Sequence, residues 1–142
     1  VLGLGRVGMT VARTFAALGA QVKVGARKPE HIARAEEMGY EAFYLRDIHG
    51  AVEDADIVIN TIPHMVVTAS VIARMPAHTL IIDLASKPGG TDFRYAEKRG
   101  IKALLAPSLP GIVAPKTAGQ ILANVLADLL KELLHKRKGN RE

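Results

Sequence analysis

Three glycines near the start of the chain have the spacing of a phosphate-binding loop. The first eight residues, VLGLGRVG, form a G-x-G-x-x-G pattern after two apolar residues. In this pattern the first glycine makes a tight turn, the second lets a pyrophosphate approach the backbone, and the third lets a helix pack closely on a strand. Because N–H groups at a helix N-terminus attract anions, we expect a dinucleotide phosphate to bind here. The residues expected to contact it are Gly3, Gly5, Arg6, Val7 and Gly8.

The residues that discriminate between NAD and NADP lie about 20 positions beyond such a glycine pattern. The segment VKVGARK at residues 22–28 has no carboxylate that would bind the ribose hydroxyls of NAD. Ala26, Arg27 and Lys28 are expected to contact the cofactor, and the two cations can pair with the 2′-phosphate of NADP. The sequence therefore favours NADP, with NAD as the second choice. The alternative is that both cations face solvent in a turn.

Further residues with chemical groups follow other predicted strands. Thr61, Ile62 and Pro63 are expected to border the cofactor. The next residue, His64, is either a general acid near the nicotinamide or a solvent-facing residue at the start of a helix.

The strand after that one ends at Asp83. Asp83 either contacts the cofactor or accepts hydrogen bonds from the following loop, in which Ala85 and Ser86 are also expected to contact the cofactor. The histidines lack metal-ligand spacing, so we expect no metal site. No G-x-S-x-G elbow or P-loop lysine is present either.

A regular alternation of strands and helices must position these loops. Apolar runs predict strands at residues 22–25, 42–45, 56–60, 80–84 and 101–105, after a first strand shortened to Val1 and Leu2. Helices are predicted from the glycine loop to about residue 19 and at residues 29–38, 48–52, 67–75 and after Thr91, which is expected to cap the last of these. This pattern predicts an α/β fold, a doubly wound parallel sheet of about six strands in the order 3-2-1-4-5-6. Ligands of such sheets bind at the carboxyl ends of the strands.

The C-terminal part combines a proline-rich loop at residues 106–115 with a predicted helix. Apolar pairs recur every four residues from Ile121 to Leu134 and form a wide stripe on this helix. We expect the stripe to dock on the domain itself or on a domain absent from this sequence. The alternative is the seam of a homodimer.

Composition limits the class of protein. A chain of 142 residues with 49% apolar and 23% charged residues is expected to form one soluble globular domain. It has no apolar run of the roughly 20 residues that span a membrane and no cysteine, which favours the cytoplasm. The net charge is +5, but basic residues concentrate at the C-terminus and aromatic residues make up 4%, so no nucleic-acid partner is expected. The short first strand suggests a piece of a longer protein that lacks its N-terminal part.

Four segments carry a close resemblance to dipicolinate synthase A subunits of spore-forming bacteria. They are GLGRVGMT at residues 3–10, INTIP at 59–63, DLASKPGGTDF at 83–93 and LPGIVAPKTAG at 109–119. The first segment is shared by many dehydrogenases, whereas the last two are more specific. The resemblance extends over essentially the whole chain and implies its C-terminal, NAD(P)-binding Rossmann domain.

The resemblance implies an oxidoreductase that works with a second, flavoprotein-like B subunit. It would oxidise a dihydrodipicolinate formed from 4-hydroxy-tetrahydrodipicolinate, giving dipicolinate and reduced NAD(P) in the mother-cell cytoplasm during sporulation. Since the substrate would close against the absent domain, we expect this chain alone to bind cofactor without turnover. For a dicarboxylate substrate, Lys87 and Lys116 are expected to face it with the loop 106–115, and with His64 they are weak catalytic candidates.

Two other functions fit the same residues. One is the cofactor domain of another two-domain dehydrogenase, of the 2-hydroxyacid or shikimate type. The other is a non-catalytic domain that senses nucleotides. Hydride transfer to or from a substrate would separate the enzymes from the sensor.

Overall fold

The computed structural model describes residues 1–106, 123–124 and 126–128. Five strands and five helices alternate along the first of these ranges, as the apolar pattern predicted. The strands are β1 (Lys23–Ala26), β2 (Glu41–Tyr44), β3 (Ile57–Asn60), β4 (Leu80–Asp83) and β5 (Lys102–Leu105). The helices are α1 (Arg6–Ala17), α2 (Pro29–Glu37), α3 (Ile48–Ala51), α4 (Ala69–Ile72) and α5 (Phe93–Lys98), with a 3-10 turn at Leu45–Asp47.

Leu2 joins the two halves of the sheet. Its backbone forms parallel bridges with Gly25 in β1 and Asn60 in β3. On one side β1 pairs with β2, and on the other side β3 pairs with β4 and β4 with β5, all in parallel. The predicted order is therefore confirmed, with the segment at Leu2 as the first strand. It is reduced to one bridging residue, so the described residues form five strands rather than about six.

Side chains from neighbouring positions in the strands pack against opposite helical layers. Val58 and Ile81 are buried with residues of α3, α4 and α5. Leu80 and Ile82 are buried on the other face, with Phe15 of α1. An apolar run such as β4 needs cover on both faces, and the doubly wound arrangement provides it.

The described part of the C-terminal helix lies on the α1 side of the sheet. Ala123 and Leu126 are buried in the same cluster as Val11 and Phe15. Leu126 belongs to the predicted apolar stripe, and for this residue docking on the domain itself is confirmed. Most of the apolar stripe, the loop 106–115 beyond Ala106, and Lys116 lie outside the described residues.

Two helix boundaries differ from those predicted. Helix α4 begins at Ala69 and not at residue 67, because Val67 forms a bridge with Thr91 and stays extended, and it ends at Ile72 and not at residue 75. The prediction that Thr91 caps α5 is wrong, since the hydroxyl of Thr91 donates to Asp83 at 2.7 Å. Asp92 is the cap instead, and its carboxylate accepts from the Tyr95 N–H at 3.0 Å.

Two kinds of feature are absent from the part of the chain that the structure describes. No helix in it is long and apolar enough to cross a membrane. In the same part, no three histidine, aspartate or glutamate side chains come together so as to hold a metal ion.

Candidate functional site

The turn at Gly3 is held against the loop that follows β3. Gly3 has a φ of +95°, which a side chain disfavours, and a Cβ there would lie 2.5 Å from the Thr61 hydroxyl oxygen. That hydroxyl donates to the Leu2 carbonyl at 2.8 Å, and the Thr61 N–H donates to the same carbonyl at 2.9 Å. The two predicted contacts Gly3 and Thr61 therefore lie side by side, joined through Leu2.

Helix α1 begins directly behind this turn. A Cβ on Gly8 would contact the Gly3 carbonyl oxygen, so only glycine lets the helix pack this closely. By contrast, Gly5 is the exposed N-cap of α1, and a Cβ on it would have no described atom within 4 Å. The first turn has no side-chain cap and no acidic residue, so the N–H groups at Arg6, Val7 and Gly8 have no side-chain acceptor at this cap. This arrangement fits a pyrophosphate.

A cleft of about 450 Å³ lies on the same edge of the sheet. It is built from residues at the carboxyl ends of three strands: Arg27 after β1, Tyr44 and Arg46 at the end of β2, and Ile62, His64 and Met65 after β3. Ile62 also lies next to Gly3, where a Cβ would come within 3.0 Å of its side chain. The cleft therefore continues from the glycine loop toward the side on which the adenosine of a dinucleotide lies in this fold.

The cleft contains two arginines and no acidic residue among those that the structure describes as lining it. Arg27 is exposed, as its predicted role requires, whereas Lys28 is the N-cap of α2 and is not one of these lining residues. Arg46 lies over the Tyr44 ring, with Cζ 4.4 Å from the ring centroid. Sequence analysis missed Arg46 and Tyr44, although they follow a predicted strand at the same edge.

His64 lines this cleft together with Arg27 and Arg46. The histidine is exposed, and its backbone carbonyl lies where a Cβ on Gly90 would be. The structure thus places His64 on the side of the predicted adenosine position. Its role as a proton donor to a substrate stays a prediction.

The carboxylate of Asp83 is completely buried and accepts four hydrogen bonds. Oδ1 accepts from Asn60 Nδ2 at 3.1 Å and from the Ala85 N–H at 3.0 Å. Oδ2 accepts from the Gly90 N–H and the Thr91 hydroxyl, both at 2.7 Å. Of the two interpretations of Asp83, the hydrogen bonds to the following loop are therefore present, and direct contact with the cofactor stays a prediction.

Asn60 connects this network to the preceding loop. It is also fully buried, and its amide nitrogen donates both to Asp83 and to the Ile62 carbonyl, the latter at 3.0 Å. Its carbonyl oxygen accepts from the Ile62 N–H at 3.1 Å, which fixes the turn that carries Thr61. Sequence analysis did not single out Asn60, but a polar residue at the end of an apolar strand was the available signal.

The remaining predicted contacts differ in exposure. Ala26 and Ala85 are buried, whereas Pro63, Ser86 and Lys87 are exposed. Ser86 and Lys87 lie in the loop that Asp83 holds, and the Ser86 carbonyl accepts from the Gly89 N–H at 2.8 Å. This loop therefore presents a hydroxyl and a cation at the carboxyl edge of β4.

A salt bridge at the opposite, amino edge of the sheet shifts two pKa values. Lys23 Nζ lies 2.8 Å from Asp54 Oδ1. This hydrogen bond raises the pKa of Lys23 and lowers the pKa of Asp54. Because Lys23 begins β1, this pair lies away from the glycine loop and the cleft.

Comparison with known proteins places the chain in a family. Residues 1–142 match the model of the alanine dehydrogenase/PNT C-terminal domain. The chain belongs to this family. It is also 67% identical over 133 residues to the A subunit of Bacillus subtilis dipicolinate synthase, a match that covers 94% of this chain and 45% of that protein. The chain thus spans somewhat less than half of the length of this relative.

Solved structures agree with this assignment. The A subunit of Bacillus halodurans dipicolinate synthase is 70% identical, with a TM-score of 0.76 over 91% of this chain and 44% of that one. The A subunit of the Bacillus subtilis enzyme is 65% identical, with a TM-score of 0.75 over 95% of this chain and 45% of that one. The 3-hydroxyisobutyrate dehydrogenase of Mycobacterium tuberculosis is 26% identical, with a TM-score of 0.56 over 75% of this chain and 38% of that one. The predicted resemblance and the Rossmann-type fold are both confirmed.

Membership in a family of dehydrogenase domains implies a nicotinamide cofactor. The residues present fit this group, because the open space over Gly5 and the uncapped start of α1 can take a pyrophosphate.

The Asp83 network leads to a prediction about stability. In Asp83→Asn, an amide NH₂ replaces one carboxylate oxygen and faces at least one buried N–H donor, which is left unpaired. An unsatisfied buried donor costs about 1–3 kcal/mol, so we expect the free energy of unfolding to fall by about that amount. Urea unfolding followed by circular dichroism measures this quantity.

Asp92→Asn is the matched control, since it removes the same charge nine positions away. Asn caps a helix about as well as Asp, so the free energy of unfolding should change by less than about 0.5 kcal/mol. Equal effects of the two substitutions would show that the Asp83 hydrogen bonds contribute nothing specific.

Proposed function

We propose that the chain is the dinucleotide-binding part of an oxidoreductase that forms dipicolinate. The observation that carries this proposal is the 67% identity, over 94% of the chain, to the A subunit of Bacillus subtilis dipicolinate synthase. The geometry of the glycine loop supports the cofactor part of the proposal independently, since Gly5 and the start of α1 leave room for a pyrophosphate.

The proposed substrate is a dihydrodipicolinate, formed by loss of water from 4-hydroxy-tetrahydrodipicolinate. Its oxidation to dipicolinate removes a hydride and a proton, and it makes the ring aromatic. A bound NAD(P)⁺ supplies the hydride acceptor. In this proposal the N–H groups at the start of α1 bind the pyrophosphate, and the loops after β3 and β4 flank the site of reaction.

The substrate side is proposed to carry positive charge. Dipicolinate and its precursors are dicarboxylates, and exposed Lys87 lies in the loop that Asp83 fixes at the carboxyl edge. Lys116 is proposed as a second cation on sequence grounds alone. The proposed partner is a flavoprotein-like B subunit, the proposed context is sporulation, and the proposed location is the mother cell.

A second candidate function is the oxidation of a different small acid. The likeness to 3-hydroxyisobutyrate dehydrogenase, at 26% identity and a TM-score of 0.56, favours this alternative over unrelated enzyme classes. A nucleotide sensor is the third candidate, and it would bind the dinucleotide without hydride transfer.

The reaction can be tested in a chimera. This chain replaces the matching region in the A subunit of Bacillus subtilis dipicolinate synthase, and the chimera is incubated with 4-hydroxy-tetrahydrodipicolinate, NAD(P)⁺ and the B subunit. We expect dipicolinate and reduced nucleotide in equal amounts, and neither product from this chain alone. A folded chimera that binds nucleotide but forms no dipicolinate, while the unsubstituted protein does, would contradict the proposed reaction.

The glycine loop gives a prediction for the chain itself. In Gly5→Val the side chain would occupy the space proposed for the pyrophosphate, while a Cβ there meets no described atom. We expect dinucleotide binding to be lost in calorimetric titration, with the unfolding midpoint nearly unchanged. Gly50→Val is the matched control, because a Cβ on Gly50 also meets no described atom. Unchanged affinity in Gly5→Val would remove this loop from the site.

The cleft gives a prediction about cofactor choice. Arg27 can donate a charge-assisted, bidentate pair to the 2′-phosphate of NADP, and hydrogen bonds to charged groups contribute about 1.5–3 kcal/mol. We therefore expect the chain to bind NADP about ten- to a hundredfold more tightly than NAD, and Arg27→Ala to remove most of this preference. Lys28→Ala should have a smaller effect, since Lys28 is outside the lining of the cleft. The dissociation constants of both nucleotides for the three forms are the measurement, and an unchanged ratio in Arg27→Ala would refute the assignment.

A further inference from the structure

We propose that Arg46, held against Tyr44, is a second cation that binds the adenosine 2′-phosphate together with Arg27. This inference rests on the proposed binding of a dinucleotide and extends it to residues after β2. It makes Arg46 a determinant of the choice between NADP and NAD. The adenine is proposed to lie against Ile62 and Met65, two apolar residues that line the same cleft.

The first argument is charge. A phosphate monoester carries about −1.5 to −2 charges at neutral pH, so Arg27 alone leaves part of that charge uncompensated. Arg46 supplies the second positive charge, and both arginines line the same cleft of about 450 Å³. The described lining contains no acidic side chain that would repel the phosphate.

The second argument is that Arg46 is already positioned. Its Cζ lies over the Tyr44 ring at 4.4 Å, a cation–π contact that holds the guanidinium at the wall of the cleft. Its Nε lies 3.7 Å from Asp47 Oδ2, but both side chains are exposed and this pair is screened by solvent. Within the described residues the two Nη groups of Arg46 make no hydrogen bond, so their N–H groups remain for a phosphate.

The third argument concerns the apolar residues that line the cleft. Ile62 and Met65 line the cleft, and Met65 is 59% exposed, which is high for a large apolar side chain. A polarisable thioether and an aliphatic side chain provide a surface on which an aromatic base can lie. The cleft therefore has both cationic and apolar lining residues, and its volume lies in the range of small-molecule sites, about 300–1,000 Å³.

Two adenosine bisphosphates test this inference without the nicotinamide. The probes are 2′,5′-ADP and 3′,5′-ADP, which have the same atoms and differ in the position of one phosphate. We expect the unmodified chain to bind 2′,5′-ADP at least about tenfold more tightly in calorimetric titration, because only its phosphate reaches both arginines. Arg46→Ala should reduce this ratio about tenfold and leave the affinity for NAD unchanged.

Three variants separate a specific contact from a general effect of charge. Arg46→Lys keeps the charge but loses the bidentate fork, so we expect it to restore only part of the ratio. Tyr44→Leu removes the ring that positions Arg46 and should also lower the ratio, by a smaller factor. Arg13→Ala removes an exposed arginine of α1 that does not line the cleft, and the ratio should stay unchanged.

The outcomes distinguish this inference from the proposed function. The inference is overturned if Arg46→Ala leaves the ratio of the affinities for the two bisphosphates unchanged. It is also overturned if this substitution weakens the binding of NAD as much as the binding of 2′,5′-ADP. In that case loss of dinucleotide binding in Gly5→Val would still support the proposed function. If the unmodified chain binds neither the bisphosphates nor NAD, both are overturned.

Discussion

The carboxyl edge of the sheet depends on the buried carboxylate of Asp83. An ionised carboxylate without solvent contact is unfavourable unless donors surround it, and Asp83 accepts from Asn60, Ala85, Gly90 and Thr91. These donors come from the end of β3 and from the loop after β4. Because Asn60 also fixes the turn of the loop after β3, the two loops are held as one unit, and the site is shaped before a ligand binds.

The same close packing explains where glycine is required. A Cβ on Gly90 would lie 2.6 Å from Asn60 Nδ2 and would contact the His64 carbonyl, so a side chain there would push the two loops apart. Gly3 is required for an equivalent reason between the first turn and the loop after β3, and Gly8 is required between α1 and the first turn. The spacing of Gly3 and Gly8 predicted their roles. The role of Gly90 was not predictable, because its close contacts come from residues about 30 positions earlier in the chain.

The fold was predictable where the signal is local or topological. Apolar runs located each strand, and the known chirality of parallel connections gave the strand order, with Leu2 in the middle. Predictions failed where a distant residue competes for a backbone or side-chain group. Val67 is not part of α4 because it pairs with Thr91, and Thr91 does not cap α5 because its hydroxyl donates to Asp83. Only part of the cleft was predicted from the sequence. Arg27 was predicted because it lies where this fold discriminates between the two cofactors, whereas the place of Arg46 in the cleft depends on the pairing of β2 with β1.

In the proposed binding mode the two parts of the site recognise different features of the cofactor. The glycine loop offers backbone N–H groups to the pyrophosphate, which NAD and NADP share. It therefore contributes to the affinity for both cofactors and does not discriminate between them. The cleft offers side chains, Arg27 and Arg46, to a phosphate that only NADP has. Close contacts with Thr61 and with the Gly3 carbonyl fix the backbone at Gly3 and Gly8, whereas the arginines are exposed side chains. In this binding mode cofactor choice can therefore change by substitution in the cleft while the fold and the phosphate loop stay intact, because both arginines are exposed within the described part of the chain.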